Sequence, residues 1–569
     1  MARGVTIDDD DDDDDEASSS MVEAVVVIVR KKDRGGGLLV RHLAEDERQR
    51  ARIEAAGRAV RLVTTAARVA LDYQLAPAAA DPTASAWRRE LDEATGEQEA
   101  AGLAVSRART PEERSAGAAR AADARARIVR ATAELSAAEP GGENPLHERN
   151  ARRLLRMVRQ NGGVYLKIAQ HAAQLDYLIP KEYIAHFEKC LDDSPTSSYA
   201  NVERVLREEG VSLEALEPEP IASGSLAQVH RANFGGRQVA VKVQHLGLRE
   251  TSRGDVEAVA AVVRLASRLF PDFKLGWLVD EIAPHLAVEL DFRQEARNCR
   301  RAAAHFASWR RVVVPEVLHA TERVLVMSFE SGVNATDVAA KQPNRPRSSL
   351  RRVARTVAAA FAAQTFRHGF VHCDPHGANV LVRDDDAIVL LDHGLYRHLD
   401  DDFRLTYARL WRALVLADVK AIELHARRLG VGDAYPLFAA MLTRKTWDQV
   451  ANPDAALDMT PTNDALLQVY AQRYVKQITH VLDAAPRQLL LLLKMSDCLR
   501  RLDSAMLGNH HSDGHDPSLF TLHACLDALH AHDRDHLTYA RVKLSVWLFQ
   551  LKKRMFKLAW WVLPSALLN

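Results

Sequence analysis

The chain has 569 residues, 47% of them hydrophobic and 27% charged, which is enough for about two to four domains with buried cores. Its 76 Lys and Arg residues balance its 76 Asp and Glu residues, so the charge gives no sign of nucleic-acid binding. Five cysteines without paired spacing argue against a disulfide scaffold and a cysteine zinc site, and no stretch approaches the roughly 20 apolar residues of a membrane-spanning helix.

The N-terminal end is expected to be weakly structured. Residues 1–38 combine an acidic run, Asp8 to Asp15, with serine and glycine clusters, and this composition predicts a disordered tail. The run is unlike an Arg-rich mitochondrial transit peptide, so no targeting signal is readable from it. Residues 39–146 are expected to hold a helix, Leu39 to Tyr73, and then an Ala- and Arg-rich insertion of loosely attached helices over 77–146.

The later segments predict an α+β architecture. In chain order they are a helical extension at 147–219, a β-rich segment at 220–332, a mixed segment at 333–505 and a helical extension at 506–569. Alternating Val239, Val241 and Val243 predict one of three short strands in the β-rich segment, where small residues and a glycine pair supply the turns. A long Ala-rich helix is expected at Leu350 to Arg367.

A short polar motif carries the strongest chemical signal. Asp374 is followed five residues later by Asn379, and a second acid, Asp392, follows a predicted β-hairpin. This is the spacing of a kinase catalytic loop and its metal-binding Asp-x-Gly. Phosphoryl transfer needs a carboxylate near the attacking oxygen and hard oxygen ligands for Mg²⁺. The pattern predicts Asp374 as the catalytic carboxylate and Asn379 with Asp392 as Mg²⁺ ligands.

Residues upstream of this motif fit a nucleotide site. Lys242 ends the segment Val239-Ala240-Val241-Lys242, like the strand lysine that holds phosphates in kinases, and Glu295 lies on a following helix where a lysine-pairing glutamate is needed. Met327 and Phe329 are further candidates for nucleotide contact. The candidate phosphate loop consists of Ile221, Ala222, Ser223, Gly224, Ser225, Leu226, Ala227, Gln228 and Val229. It has one glycine where a protein kinase has three, so its backbone approaches phosphates differently.

Four motifs together resemble the UbiB, or aarF-domain-containing, atypical kinases. They are Lys167-Ile168-Ala169-Gln170, Ala227-Gln228-Val229-His230, Glu289-Leu290-Asp291-Phe292 and the segment from His372 to Asn379. Other short segments, such as Leu391 to Tyr396, resemble the corresponding sequences of a mitochondrial branch of this family. The resemblance covers about residues 147–505 and extends more weakly to the C-terminus.

The resemblance implies a protein-kinase-like two-lobe fold, with a mostly helical C-terminal lobe, that binds ATP or ADP with Mg²⁺. Family-specific helices are expected to lie across the cleft, where Lys167 pairs with Glu289 and both join the catalytic group with Asp291. Such helices occupy the peptide groove, and no Ala-Pro-Glu follows Asp392. An ATPase or a kinase of small molecules or lipids, linked to coenzyme Q or mitochondrial lipid homeostasis, is therefore favoured over a protein kinase.

Two positions depart from the family pattern. Ala169 stands where the family has glycine, and Gly377-Ala378 stand where Pro-Gly is expected. If the backbone at position 378 needed a positive φ, alanine would be penalised there by about 1 kcal/mol.

Two other function classes stay open. One is a nucleotide-binding pseudokinase that scaffolds a membrane assembly. The other is a metal-dependent hydrolase with His372, Asp374 and His376 as ligands, near a His-rich segment from His510 to His536, although it leaves the kinase-like residues unexplained. Cys373 has no activating base at a defined spacing and is interpreted as a buried thiol.

The C-terminal stretch from Val542 to Leu568 interleaves basic and aromatic residues, which suits an interfacial helix on an anionic membrane. The alternative is that its aromatic side chains pack on the helical lobe. The resemblance implies a mitochondrial location, with a plastid or the cytoplasm as alternatives. The phosphoryl acceptor and the oligomeric state stay open.

Overall fold

A computed structural model describes most of the chain. The described residues are 39–75, 82–107, 110–138, 144–173, 179–192, 196–270, 286, 288–451, 486–508, 517–544, 546–548 and 551. The predicted tail at 1–38, the His-rich residues 509–516 and most of the C-terminal aromatic stretch lie outside them. No helix among the described residues is both long enough and apolar enough to cross a bilayer.

Helices come first along the described chain. They are α1 (Leu39–Leu75), α2 (Pro82–Arg107), α3 (Pro111–Ala138), α4 (Pro145–Asn161), α5 (Gly163–Ala172), α6 (Lys181–Phe187), α7 (Lys189–Asp192) and α8 (Tyr199–Glu208). The Asn144 side chain caps α4 by accepting from the backbone N–H of Leu146, with a proline in the first turn. Gly162, at φ 66°, then separates α4 from α5.

The strands of the molecule are short. They are β1 (Ala215–Leu216), β2 (Ala222–Ser223), β3 (Ala227–Phe234), β4 (Arg237–Gln244), β5 (Val312–Val313), β6 (Val317–Ala320), β7 (Val324–Ser328), β8 (Val333–Asn334), β9 (Phe370–His372), β10 (Val380–Val382), β11 (Ile388–Leu390) and β12 (Tyr396–His398). The largest sheet is antiparallel with order β1-β3-β4-β7-β6, and β2 pairs with β3. Gly235 and Gly236, both at positive φ, form the two-residue turn that joins β3 to β4.

Longer helices dominate the rest of the chain. They are α9 (Leu248–Leu269), α10 (Phe292–Phe306), α11 (Val338–Lys341), α12 (Arg347–Ala362), α13 (Asp401–Val415), α14 (Val419–Arg428), α15 (Tyr435–Thr443), α16 (Trp447–Val450), α17 (Arg487–Leu507) and α18 (Pro517–Asp533). A π-helical turn, Ala363–His368, extends α12 until Gly369 ends it at φ 57°. The predicted α+β architecture is therefore confirmed, and β6 is a strand that the sequence pattern missed.

The alternation of side chains on β4 positions the functional residues. Val239, Val241 and Val243 face one side of the sheet and pack against Val202 and Val205 of α8. The opposite side of β4 carries Ala240 and Lys242. Ala240 packs there with Phe292 and Ala296 of α10. Because side chains alternate along a strand, burial of the valines directs Lys242 toward α10.

A second, larger core lies in the helical part of the molecule. It joins α12, α13, α15, α17 and α18 to a small sheet with strand order β5-β11-β10-β8. Phe361, Leu390, Tyr407 and Leu410 are among its fully buried members. A separate ladder of β9 and β12 holds the chain on either side of the predicted catalytic motif. The segment from Asp374 to Asp392 therefore lies between two strands, β9 and β12, that adjoin residues of the helical core.

The insertion at 77–146 differs from the sequence expectation. Helices α2 and α3 pack against each other through small buried residues, including Ala94, Ala101 and Ala121. The pair also docks on α16, where the buried carboxylate of Asp448 accepts from the side chains of Gln98 and Arg125. The expectation that these helices are loosely attached is therefore wrong. Their alanine faces allow close helix contact, and Asp448 supplies a polar attachment point.

Candidate functional site

Lys242 lies at the centre of a charged group beneath the large sheet. Its Nζ is 2.8 Å from Oε1 and 2.9 Å from Oε2 of Glu295, which is in the first turn of α10. The same Nζ lies 3.4 Å from Oδ2 of Asp392. Pairing of β4 with both β3 and β7 fixes the backbone of Lys242. The sequence-predicted lysine, glutamate and aspartate are brought together.

Within this group, Lys242 and Asp392 stabilise each other's charged form. Burial by itself would lower the pKa of Lys242, but Asp392 and Glu295 outweigh that effect and raise it above its usual range. Burial would raise the pKa of Asp392, but the charges of Lys242 and Lys167 hold it well below its usual range. Lys242 is therefore a cation and Asp392 an anion at neutral pH. These charge states suit phosphate contact and metal ligation, respectively.

Lys167 of α5 forms a second buried ion pair. Its Nζ lies 2.7 Å from Oε2 of Glu289, and the two side chains are 13% and 7% exposed. The attraction of Glu289, Asp374 and Asp392 overcomes burial and raises the pKa of Lys167. The predicted ion pair is therefore confirmed. Because Asp374 and Asp392 both act on Lys167, α5 lies beside the predicted catalytic residues.

Gln170 attaches α5 to the candidate phosphate loop. Its Oε1 accepts from the Ser225 hydroxyl at 3.1 Å, and its Nε2 donates to the Cys190 carbonyl at 2.7 Å. Within the loop, the Gly224 N–H donates to the Ala227 carbonyl at 2.8 Å, so the chain turns tightly between β2 and β3. Lys167 and Gln170 therefore link one helix to two separate parts of the sheet-bearing region.

Asp374 follows β9, and two hydrogen bonds fix its backbone. Its N–H donates to Nδ1 of His372 at 3.1 Å, and its carbonyl accepts from Nδ2 of Asn379 at 3.0 Å. Gly377 is needed in this loop because a Cβ there would lie 2.1 Å from Cγ2 of Thr336. Ala378 does not adopt a positive φ, so the penalty considered from the sequence does not arise.

Sequence reasoning missed two residues near this loop: Lys494, which pairs with Asp374, and His171, which contacts Lys494. Nζ of Lys494, on α17, lies 3.5 Å from Oδ1 of Asp374 and 2.8 Å from Nδ1 of His171, on α5. Lys494 and His376 lower the pKa of Asp374 far enough to outweigh burial, which would raise it. The sequence does contain a signal for Lys494, because this lysine follows a run of five leucines. Such a run indicates a buried helix, and a charge buried there needs a partner.

Asp291 is placed as a helix cap. Its carboxylate accepts from the backbone N–H of Arg293 at 3.0 Å and pairs with the Arg293 guanidinium at 2.9 Å. Asp291 therefore fixes the start of α10 between Glu289, which reaches Lys167, and Glu295, which reaches Lys242. A catalytic role for Asp291 stays a prediction.

Met327 and Phe329 differ in their surroundings. Met327, 8% exposed, packs with Ala227 and Phe292 near the candidate phosphate loop and α10. Phe329 lies under the guanidinium of Arg231, 4.5 Å from the ring centre. Contact of either residue with a nucleotide stays a prediction.

The predicted Mg²⁺ ligands carry suitable oxygen atoms. The amide nitrogen of Asn379 is used by the Asp374 carbonyl, so the side-chain atom left to bind a cation is an oxygen. Asp392 is held by a bond from the Gly394 N–H to its Oδ1 at 3.0 Å. Among the described residues, no group of three or more His, Cys, Asp or Glu could hold a metal. Two oxygen ligands completed by phosphates and water suit Mg²⁺.

The imidazole of His372 has both nitrogens engaged. Its Nδ1 accepts from the Asp374 N–H, so Nε2 carries the proton, which faces the Leu391 carbonyl at 3.4 Å. Neither nitrogen is left for a metal, and the proposed hydrolase ligand set of His372, Asp374 and His376 therefore gains no support. Cys373 is fully buried, and burial raises the pKa of its thiol to about 12, in keeping with an unreactive thiol.

Comparisons with known proteins place the site in context. A profile of the ABC1 atypical kinase-like domain matches residues 189–426. AarF domain-containing protein kinase 1 of Gallus gallus is 37% identical over 423 residues, which cover 71% of this chain and 80% of that protein. An ABC1 protein of Arabidopsis thaliana is 39% identical over 409 residues, which cover 66% of this chain and 75% of that protein.

One solved structure, the complex of Rv3197 with erythromycin from Mycobacterium tuberculosis, is similar with a TM-score of 0.43 and 20% identity. The match covers 66% of this chain and 97% of that one, a similarity too low to support a conclusion.

Proposed function

Because the chain belongs to the ABC1, or AarF-domain-containing, family of atypical kinases and has a kinase-like fold, we propose that it binds Mg-ATP or Mg-ADP between its lobes and turns ATP over. The observation that carries this proposal is the convergence of Glu295 and Asp392 on the Lys242 ammonium, within 3.4 Å. A lysine positioned by a glutamate, next to an aspartate that can hold Mg²⁺ and a loop of small residues, is the arrangement that kinases use to contact phosphates.

The nucleotide side of the site would work by charge and position. Lys242 would contact the α and β phosphates, and Glu295 would hold it in place. When bound, Mg²⁺ would be held by Asn379 and Asp392 and would neutralise charge on the phosphates. Little covalent work is then left to the protein, because positioning and charge stabilisation supply most of the catalysis in phosphoryl transfer.

Asp374 would serve the acceptor side. During transfer, a bond forms between the acceptor oxygen and the γ phosphorus, and the bond from that phosphorus to the β-γ bridging oxygen breaks. The acceptor hydroxyl, or water in an ATPase, gives its proton to the Asp374 carboxylate, which later releases it to solvent. The pKa of Asp374 is held low, so its carboxylate is ionised and can accept a hydrogen bond from the acceptor hydroxyl.

We propose that the phosphoryl acceptor is a small molecule or lipid rather than a protein. The alternative within this proposal is that ATP turnover is coupled to organellar lipid or coenzyme Q homeostasis. The support is α5, which reaches Glu289 through Lys167, Ser225 through Gln170 and Lys494 through His171. A helix with these attachments, close to Asp374, would leave a peptide little room to approach that carboxylate. A pseudokinase scaffold is the competing class, and it predicts nucleotide binding without turnover.

Contact with an anionic membrane is also proposed. Near the end of the described chain, Leu544 and Trp547 are each 56% exposed, with Lys543 close by. Exposed apolar side chains mixed with cations suit the interface of an anionic bilayer. We propose a mitochondrial location on the resemblance of the sequence motifs; fractionation against mitochondrial, plastid and cytoplasmic markers tests it.

The central experiment measures nucleotide binding and turnover in the full chain. Thermal shifts with ATP and ADP, with and without Mg²⁺, are followed by ATP hydrolysis on neutral or anionic liposomes and by assays with generic peptides. We expect Mg²⁺-dependent binding, slow turnover that anionic liposomes raise, and little peptide phosphorylation.

Two variants and one control sharpen the result. Lys242→Ala should lose binding, whereas Lys341→Ala, which removes an exposed pair with Asp337, should keep it. Leu544→Ser combined with Trp547→Ser should lose the liposome response only. Binding without turnover would favour the pseudokinase, and rapid peptide phosphorylation would refute the occluded groove.

A further inference from the structure

Lys494 is a buried lysine in an apolar helix face. Its side chain is 8% exposed, and the neighbouring Leu489 to Leu493 and Met495 belong to the large helical core. An ammonium group among leucines is unfavourable unless it is paired and hydrogen-bonded. In the structure, Lys494 contacts Asp374 and His171. A role for Lys494 is therefore expected at Asp374.

The proton positions in this cluster follow from chemistry. An ammonium group only donates, so Lys494 donates one N–H to Nδ1 of His171 at 2.8 Å. The same Nζ forms an ion pair with Oδ1 of Asp374 at 3.5 Å. Because His171 fixes the ammonium, the ammonium in turn restrains the carboxylate.

Each part of Asp374 has its own restraint. Its backbone N–H and carbonyl are bonded to His372 and Asn379, but these bonds leave rotation of the side chain open. Lys494 acts on the carboxylate itself, and its partner His171 lies 323 residues away in the chain. The contact also joins α17 to α5, and Arg501 on α17 adds a bond to the Ala173 carbonyl at 3.4 Å.

We propose that Lys494 is a positioning residue that orients the Asp374 carboxylate toward the acceptor, so that α17 completes the reaction site. The inference rests on the proposed phosphoryl-transfer function. Lys494 lies beyond the residues 189–426 that the family profile matches, so a chain restricted to the matched region would lack this restraint. Lys494 acts through Asp374, and nucleotide binding is left to Lys242 and its partners.

The test compares steady-state ATP turnover and Mg-ATP affinity in full-length variants. Lys494→Met should lower kcat by about 10- to 100-fold, while the KM and the Kd for Mg-ATP stay within about threefold of wild type. Lys494→Arg keeps the charge and should recover most of the lost kcat. Lys341→Met removes an exposed lysine pair with Asp337 elsewhere and should leave kcat unchanged. Melting temperatures of all variants are measured alongside.

A double-mutant cycle separates positioning from a general structural effect. If Lys494 acts through Asp374, then adding Lys494→Met to Asp374→Asn should lower kcat by less than about threefold more than Asp374→Asn alone. The double variant also removes the unpaired buried charge, so it should regain stability relative to Lys494→Met.

The outcomes are distinct. Independent losses that multiply, a loss confined to Mg-ATP affinity, or wild-type kcat in Lys494→Met would each overturn the inference while leaving the kinase proposal intact. If Lys494→Met does not fold, Lys494→Arg and the double variant carry the test, and failure of arginine to retain kcat would overturn it. Absence of ATP turnover in the wild type would overturn the proposed function and this inference together.

Discussion

Two regions of the cleft use the same chemistry in different ways. On the sheet side, Lys242 and Glu295 pair at 2.8 Å; on the side of α5, Lys167 and Glu289 pair at 2.7 Å. Both lysines are mostly buried, at 15% and 13% exposure. The first lysine is carried by a strand paired on both edges, whereas the second is carried by a ten-residue helix.

This difference in the supporting element separates two tasks. A strand within a sheet holds a cation rigidly, which suits phosphate binding that needs a preorganised charge. A pair that joins a separate helix to the segment before α10 holds two parts of the molecule together, and we propose that it limits what enters the cleft. Similar distances and burial therefore do not imply similar roles.

The largest expected effect concerns the sheet side. Lys242→Ala and Asp392→Asn should each abolish Mg²⁺-dependent stabilisation by ATP and ADP and lower turnover by about 100-fold or more, because they remove charge that nothing nearby replaces. Thermal-shift titration and ATP hydrolysis check this. Nucleotide stabilisation that persists in both variants would contradict the kinase-like interpretation of the site.

Breaking the pair on the α5 side should affect stability first. Lys167→Met leaves the buried Glu289 carboxylate without its partner and should lower the free energy of unfolding by about 3 to 5 kcal/mol. Adding Glu289→Gln should restore part of this loss, because the stranded charge is gone. Denaturant unfolding measures both. Equal losses in the single and double variants would show that the charge pair is not what holds α5.

The loop between Asp374 and Asn379 gives a smaller, matched contrast. Gly377→Ala should destabilise the protein by about 1 to 3 kcal/mol and weaken Mg-ATP binding, because the new Cβ collides with Thr336. Ala378→Gly, which restores the residue expected from the family pattern, should instead cost about 1 kcal/mol or less. Unfolding and nucleotide titrations of the pair test this order, and a gain in stability in Ala378→Gly would reverse it.

The smallest expected effect concerns the thiols next to the site. Burial raises the pKa of Cys373 to about 12 and of Cys498 to about 11, so both stay protonated in the folded chain at pH 8. Alkylation at pH 8 should be slow until denaturant is added. Because the unfolded thiols ionise at lower pH, the stability they contribute should decline as pH rises above about 9. Rapid labelling of the native protein would contradict this.

The sequence predicted the parts of the site that are close together in the chain or match known spacings. Asp374, Asn379 and Asp392 are related by motif spacing, and the valine alternation of β4 directs Lys242 toward α10. The pair of Lys167 and Glu289, implied by the family resemblance, is present in the structure. The α+β architecture follows from the same local patterns, because side-chain periodicity records which face of each element is buried.

The tertiary structure decided what joins distant segments. Lys494 meets both His171 and Asp374 only because the fold brings α17 to α5, and no local spacing encodes that meeting. The resemblance joined Asp291 to the catalytic group, whereas its contact with the Arg293 N–H as the cap of α10 is seen only in the structure. Asp448 likewise becomes an attachment point for α2 and α3 through packing. Local sequence sets periodicity and caps, whereas the partner of a buried charge depends on how the whole chain folds.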